Sequence, residues 1–250
     1  MDTIKEYLPE KMEGKKVLVT GGTTGIGRAT AILLASQGAD VLICGRHQKE
    51  LDDTIRSVEG EGINLKGAIV DLANEQDIQR LFEAVDRELG GLDIHINNAA
   101  LAFQSISEGK YEDWQYIVNT NLLAYLACTN EALKRLKTKG SGHIVNIGSM
   151  SADVREKDSS VYVATKSAIQ GFSEALRKEV NEHGIKVTLI EPGAVATDMQ
   201  GSDAEALKKK VDAMEMLDAR DIAASVLYVL SQPKRCDVVQ LQIRPHLQEI

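Results

Sequence analysis

The stretch Thr20-Gly21-Gly22-Thr23-Thr24-Gly25-Ile26-Gly27 joins the apolar run Val17-Leu18-Val19 to a helical pattern over 25–37, and its reading decides the fold. Gly21 suits a tight turn, Gly25 lets a backbone come close to a pyrophosphate, and Gly27 lets the following helix lie close on a sheet. The N-terminus of that helix supplies unpaired N–H groups and the positive end of its dipole, which together favour an anion. The spacing is G-x-x-x-G-x-G rather than the G-x-G-x-x-G dinucleotide fingerprint, and a glycine turn alone is also compatible with a structural loop. Its place between a first strand and a first helix points to dinucleotide binding.

Beyond the turn, short β-branched runs alternate with longer helical patterns. The runs fall at 17–19, 41–43, 68–70, 94–96, 144–147, 187–190 and 238–241, and most lack polar alternation, as strands buried on both faces do. Helices are predicted near 25–37, 47–59, 74–89, 110–137, 160–182 and 219–231, with a polar helical stretch around 203–215. The expected architecture is α/β: a Rossmann-like doubly wound three-layer sandwich on a seven-stranded parallel sheet. Residues 15–250 are expected as one domain that binds the dinucleotide and carries the catalysis, with 1–14 as a surface arm. Pro192-Gly193 marks a turn at the carboxyl edge of the sheet, where ligands of open α/β sheets bind.

The formal net charge is −8, from 29 Lys plus Arg against 37 Asp plus Glu, and so acidic a surface repels nucleic-acid backbones. The Lys208-Lys209-Lys210 run reads as a solvated helix face. No apolar stretch reaches the roughly 20 residues that span a bilayer. Cys44, Cys128 and Cys236, together with five dispersed histidines, offer neither a disulfide framework nor metal-ligand spacing, so the expectation is a reducing, cytoplasmic compartment and no metal.

Thr20 to Gly27 resembles the T-G-x-x-x-G-x-G motif of the short-chain dehydrogenase/reductase family. The resemblance continues, in order, through Asn97-Asn98-Ala99-Ala100, Ser149, Tyr162-Val163-Ala164-Thr165-Lys166 and Pro192-Gly193, and it covers the chain from Lys15 onward. It implies an NAD(P)-dependent oxidoreductase that interconverts a secondary alcohol and a ketone. Ala100 departs from the usual N-N-A-G, which could shift that loop slightly.

Tyr162 and Lys166 stand four apart, so both project from one face of the helix near 160–182. An ammonium beside a phenol is expected to favour the phenolate and lower the tyrosine pKa, although a lone Tyr-x-x-x-Lys is otherwise an ordinary helix surface. The resemblance places the family's serine at Ser149, with Ser151 as a nearby competitor, to hold and polarise the substrate oxygen. It gives Lys166 the nicotinamide ribose. Asn121 lies among apolar residues of the 110–137 helix, where asparagine is a poor helix former; a disturbed turn there could expose a carbonyl to water, and the resemblance implies a proton relay. The same resemblance lines the cofactor cleft with Gly21, Thr23, Thr24, Gly25, Ile26, Gly27, Asp71, Leu72, Asn98, Ala99, Ala100, Pro192, Gly193, Val195 and Thr197. It sets Asn97 toward the adenosine, Asp71 at the adenine amine and Thr197 at the carboxamide.

The end of the second strand, Cys44-Gly45-Arg46, lacks the acidic residue that accepts hydrogen bonds from an NAD ribose. Arg46 could grip a 2′-phosphate through its planar fork, so the expected cofactor is NADP (NADPH) rather than NAD, unless the arginine merely caps the next turn. The ending Asp237 to Pro245 looks like an NADP-dependent branch whose substrates range from hydroxy acids to steroids and isoprenoids. Phe103 and its loop, Met150 to Ser159 and Ala194 to Met214 are expected to select the substrate. Two other readings are a nicotinamide-binding regulatory protein with little turnover and a methyltransferase; the second leaves the Tyr–Lys pair without a role. Ala164, Ala168, Gly171 and Ala175, with the family habit, suggest a homo-oligomer, tetramer or dimer, packed through that helix; packing within one chain is the alternative.

Overall fold

The computed structural model describes residues 9–103, 105–197, 199 and 203–248. Its strands are β1 (Lys16–Thr20), β2 (Asp40–Gly45), β3 (Leu65–Ile69), β4 (Ile94–Asn97), β5 (Gly142–Ile147), β6 (Ile185–Pro192), β7 (Val195–Ala196), β8 (Leu217–Asp218) and β9 (Gln240–Ile243). Seven of them form one parallel sheet in the order β3-β2-β1-β4-β5-β6-β9, while β7 and β8 pair separately. The helices are α1 (Gly25–Ser36), α2 (Gln48–Arg56), α3 (Glu75–Leu89), α4 (Tyr111–Val118), α5 (Ala124–Lys139), α6 (Ser151–Val154), α7 (Ser160–Val180), α8 (Ala204–Asp212) and α9 (Ala219–Leu230). This is the doubly wound seven-stranded sandwich that the alternation of runs predicts.

β1 shows why the run is apolar throughout. Val17 and Val19 face the layer of α1, α2 and α9, Leu18 faces the layer of α3, α5 and α7, and all three are fully buried. Two-sided burial leaves no place for a polar alternate. Around β1 the register runs Val19↔Ile43 on one side and Val19↔Ile96 on the other. Strand order reverses between β1 and β4, so a crevice opens at their carboxyl ends. In α3, Ile78, Leu81, Phe82, Val85 and Leu89 repeat at helical spacing and are buried, the Asn74 side chain caps the Gln76 N–H, and left-handed Gly90 (φ 66°) ends the helix.

Several elements differ from the sequence reading. The third strand lies at 65–69 and the last at 240–243, each displaced from its β-branched run. Both are edge strands, where pairing to a single neighbour, Val41↔Leu65 and Leu189↔Gln240, sets the ends more than residue type does. The 110–137 helix is two helices joined by a π-helical turn, Asn119–Leu123, in which the Ala124 N–H reaches the Asn119 carbonyl. Within the expected surface arm, the Glu10 N–H bonds to the Ser231 carbonyl and Met12 is buried in the core beside α1 and α9; positions 1–8 lie outside the described residues. On α7, Ala164, Gly171 and Ala175 are exposed among the described residues and Ala168 is half-buried.

Beneath the crevice a buried polar network ties the strands to the helices. Asn97 Nδ2 donates to Thr129 Oγ1 (3.0 Å) and Asn146 Oδ1 (2.9 Å), and Asn146 Nδ2 donates to Ser173 Oγ (2.9 Å). His95 Nε2 lies 2.9 Å from Asn97 Oδ1, and His143 Nε2 lies 2.8 Å from Thr188 Oγ1. Burial disfavours the imidazolium and pushes His95 down to about 4 and His143 down to about 3, from 6.5. Above pH 6.5 folded and unfolded chains both leave these rings neutral, and their contribution to stability is complete. As pH falls below 6.5, the unfolded chain takes up protons that the native one refuses. Near pH 5 the loss from the pair is expected to be roughly 2–3 kcal/mol per pH unit. Urea unfolding of the parent and a His95→Gln/His143→Gln variant at pH 7, 6 and 5 measures it: the variant should lose much of the parent's slope, and identical slopes refute the assignment.

Candidate active site

The glycine turn is shaped by what surrounds it. Gly21 takes φ +63°, and a Cβ there would lie 2.8 Å from Ala99 Cα, while a Cβ on Gly27 would lie 2.2 Å from the Gly21 oxygen. Neither position admits a side chain, which fits the roles of tight turn and close helix approach. Thr24 precedes α1 without a side-chain cap, and the first turn of α1 carries no acidic residue, so its N–H groups are free to meet an anion. The Cβ-free backbone and the uncapped helix end fit a pyrophosphate.

One cleft at the carboxyl edge collects almost all the predicted residues. Gly21, Thr23, Thr24, Gly25 and Ile26 line it from the turn, Arg46 from the end of β2, and Asp71 and Leu72 from the segment after β3. Asn98, Ala99 and Ala100 line it from beyond β4, and Ser149, Tyr162 and Lys166 from beyond β5 and from α7. Pro192, Gly193, Val195 and Thr197 close the far wall. Gly27 stands behind the turn. Ala100 is accommodated without strain, since among the described residues only Arg155, Asp158 and Met214 adopt positive φ without being glycine.

Two neighbouring asparagines part company. Asn97 is the last residue of β4 and its amide is spent in the buried network, so it does not line the cleft as expected. Asn98 does: its Nδ2 donates to the carbonyls of Thr20 (2.9 Å) and Gly21 (3.1 Å), bracing the turn. The two serines separate likewise. Ser151 starts α6 and donates to Glu156 Oε2 (2.9 Å), whereas Ser149 faces the cleft and accepts the Ser151 N–H at 3.1 Å.

Lys166 is 2% exposed, and its Nζ donates to the Ile147 carbonyl (2.9 Å), which also accepts the Tyr125 hydroxyl (3.1 Å). Burial alone pulls the ammonium down to about 8. Its Nζ lies 5.7 Å from the centroid of the Tyr162 ring, over the face. The expected lowering of Tyr162 is absent. Burial pushes the phenol upward, the Ser149 hydroxyl partly offsets this, and the Glu156 charge adds to the rise. Desolvation of the phenolate outweighs an ammonium whose hydrogen bond goes to a backbone carbonyl.

Asn121 sits in the π turn, fully buried. Its Oδ1 accepts the Leu101 N–H and its Nδ2 donates to the Leu101 carbonyl, both at 2.8 Å, so it clamps the segment after Ala100 rather than facing the cleft.

Three features escaped the sequence reading. Glu50, in the first turn of α2, lines the cleft with a buried Oε2 that has no partner among the described residues. Gln248 accepts the Ala194 N–H (3.1 Å) and fills the space a side chain at Gly193 would need, so the end of the chain shapes the far wall. Tyr116 of α4 bonds both Arg46 and Asp71. None has a local signal, because each depends on a partner in a distant segment or on the cleft itself.

The chain matches the short chain dehydrogenase family over residues 15–208. It is 32% identical over 237 residues to an uncharacterized oxidoreductase of Staphylococcus saprophyticus, covering 94% of this chain and 99% of the relative. To an uncharacterized oxidoreductase of Staphylococcus aureus it is 34% identical over 232 residues, covering 92% and 97%. Among solved structures it is similar to a short chain dehydrogenase from Burkholderia cenocepacia in complex with NADP, with a TM-score of 0.83 and 29% identity, covering 94% of this chain and 98% of that one. With the glycine turn, the crevice at β1 and β4 and the Ser149, Tyr162 and Lys166 cleft, these matches mean that the chain belongs to the short chain dehydrogenase family of nicotinamide-dependent oxidoreductases.

Proposed function

We propose that the protein uses NADP to interconvert a secondary alcohol and a ketone, with Tyr162 as general acid and base. The observation that carries this reading is that Tyr162 and Ser149 face the same cleft as the glycine turn, with the Lys166 ammonium buried behind them. The NADP-bound relative of Burkholderia cenocepacia supports the cofactor assignment.

A nicotinamide bound in the cleft would supply the hydride chemistry. In reduction Tyr162 gives the proton of its phenol oxygen to the substrate carbonyl oxygen, and in oxidation it takes the hydroxyl proton back. Ser149 Oγ donates to the same oxygen and fixes its distance from the phenol. Lys166 holds the nicotinamide ribose. An ammonium brought down to about 8 releases its proton readily, so Lys166 also suits the passing of protons to Tyr162. Asn121 keeps the π turn and the Leu101 segment in place behind this path. Since burial raises Tyr162, the phenol is protonated at neutral pH, the form that reduction requires. Arg46 holds the 2′-phosphate. Glu50 favours a second reading, because a carboxylate lining the cleft suits a ribose hydroxyl and hence NAD.

Tyr162→Phe is expected to lower turnover roughly 10²–10⁴-fold while NADPH binding stays near normal. A ketone panel followed by nicotinamide absorbance, with binding read by fluorescence, checks it, and a variant retaining a third or more of the parent rate sinks the assignment. Arg46→Ala is expected to cost roughly 10- to 150-fold in NADPH affinity and to change NADH little. If the parent shows the higher kcat/KM with NADH, the Glu50 reading prevails. The exposed small-residue face of α7 is assigned to contact with a second copy of the chain; light scattering at micromolar concentration should give a multiple of 27.2 kDa, and a monomer alone overturns it.

A further inference from the structure

Arg46 stands at the end of β2 with an exposed side chain, yet it is held. Its Nη1 donates to the Tyr116 hydroxyl at 2.7 Å, and its guanidinium carbon lies 5.9 Å from the centroid of that ring. The Tyr116 hydroxyl in turn donates to Asp71 Oδ2 at 3.0 Å, and Asp71 Oδ1 accepts the Ala73 N–H. Arg46 and Asp71 both line the cleft, and Tyr116 does not. A residue of α4, 70 positions from Arg46 in sequence, therefore bridges two walls of the cleft from behind.

The chemistry of the bridge has a specific consequence. A guanidinium carries five N–H donors, and among the described residues Arg46 spends one of them, on a neutral phenol. Had Asp71 paired with Arg46 directly, a bidentate ion pair would occupy the fork and compete with an incoming phosphate for it. The phenol keeps the carboxylate one hydrogen bond away. It leaves the cation unneutralised, holds the long side chain in one place, and leaves the remaining donors for an anion.

We propose that Tyr116 is a positioning residue for nucleotide selectivity: by suspending Arg46 from Asp71 it presents the guanidinium, uncommitted, to the 2′-phosphate. This rests on the reading that Arg46 binds that phosphate. Tyr116 does not line the cleft and acts through Arg46. Releasing the side chain reintroduces the ordering cost of one flexible arginine, an effect of roughly 2- to 12-fold in affinity.

The test uses two nucleotides that differ only in the 2′-phosphate, adenosine 2′,5′-bisphosphate and adenosine 5′-monophosphate. Calorimetric affinities are measured for the parent, Tyr116→Phe, Arg46→Ala and the double variant. Tyr116→Phe keeps the ring and deletes only the hydroxyl. It should weaken the bisphosphate roughly 2- to 12-fold and leave the monophosphate unchanged, and in the Arg46→Ala background it should have no further effect on either. Equal changes for both nucleotides, or an effect that persists without Arg46, mean that Tyr116 only supports the wall, and the proposal falls. If Tyr116→Phe is silent while Arg46→Ala still weakens the bisphosphate, Tyr116 alone is refuted and the arginine reading stands. If Arg46→Ala is silent, both fall.

Discussion

Two neighbouring parallel strands whose crossovers leave to opposite faces part at their carboxyl ends, and whatever fixes their separation fixes the cleft. That role belongs to Thr20 and Asn98. The Thr20 hydroxyl donates to the Ile96 carbonyl (3.3 Å) and accepts the N–H groups of Asn98 (3.0 Å) and Ala99 (3.2 Å), which uses its one donor and both acceptor sites. Asn98 answers by bonding the carbonyls of Thr20 and Gly21. The latch sets the path of the glycine turn, and α1 can follow only because Gly27 leaves space beside the Asn98 amide.

From that latch the remaining parts hang in sequence. β4 continues into the Asn98-to-Ala100 wall, whose next residue, Leu101, is clamped by Asn121 in the π turn. β5, paired to β4 through Asn97↔Asn146, delivers the Ile147 carbonyl that holds the buried ammonium of Lys166. The rings of Tyr125 and Tyr162 also lie close to that ammonium, their centroids 5.6 and 5.7 Å from it. The electrostatics follow from burial: the ammonium comes down and the phenol goes up, each moving toward its neutral form.

What the sequence made legible was local chemistry. The glycine turn, the four-residue spacing of Tyr162 and Lys166, and the run of apolar residues in β1 each follow from the residues themselves, and the fold and cleft follow from them. Asn97 and Asn98 are identical side chains one position apart; the alternation of successive side chains along an extended backbone sends one into the helical layer and the other to the turn. The direction of the Tyr162 shift depends on how deeply the cleft buries it, which no spacing encodes. Arg46 was visible as a cation at the right strand end, but its partner Tyr116 belongs to a different helix, and Glu50 lies within a helical pattern that reads as surface. The weak helix former Asn121 did mark the place where the long helix changes character.

That change has a consequence for the lineage of such chains. A π turn is an α-helix carrying one surplus residue, and one residue is about 100° of rotation. Asn119–Leu123 therefore acts as a phase shifter between α4, which presents Ile117 inward, and α5, which buries Tyr125, Cys128, Ala132 and Leu136. Closing this turn into plain α-helix with every residue kept would delete no strand and empty no core. It would turn one half of the helix against the other, so that either Tyr116 leaves its place beneath the cleft or the inward stripe of α5 swings away from the sheet. Length at this one point is held by angle.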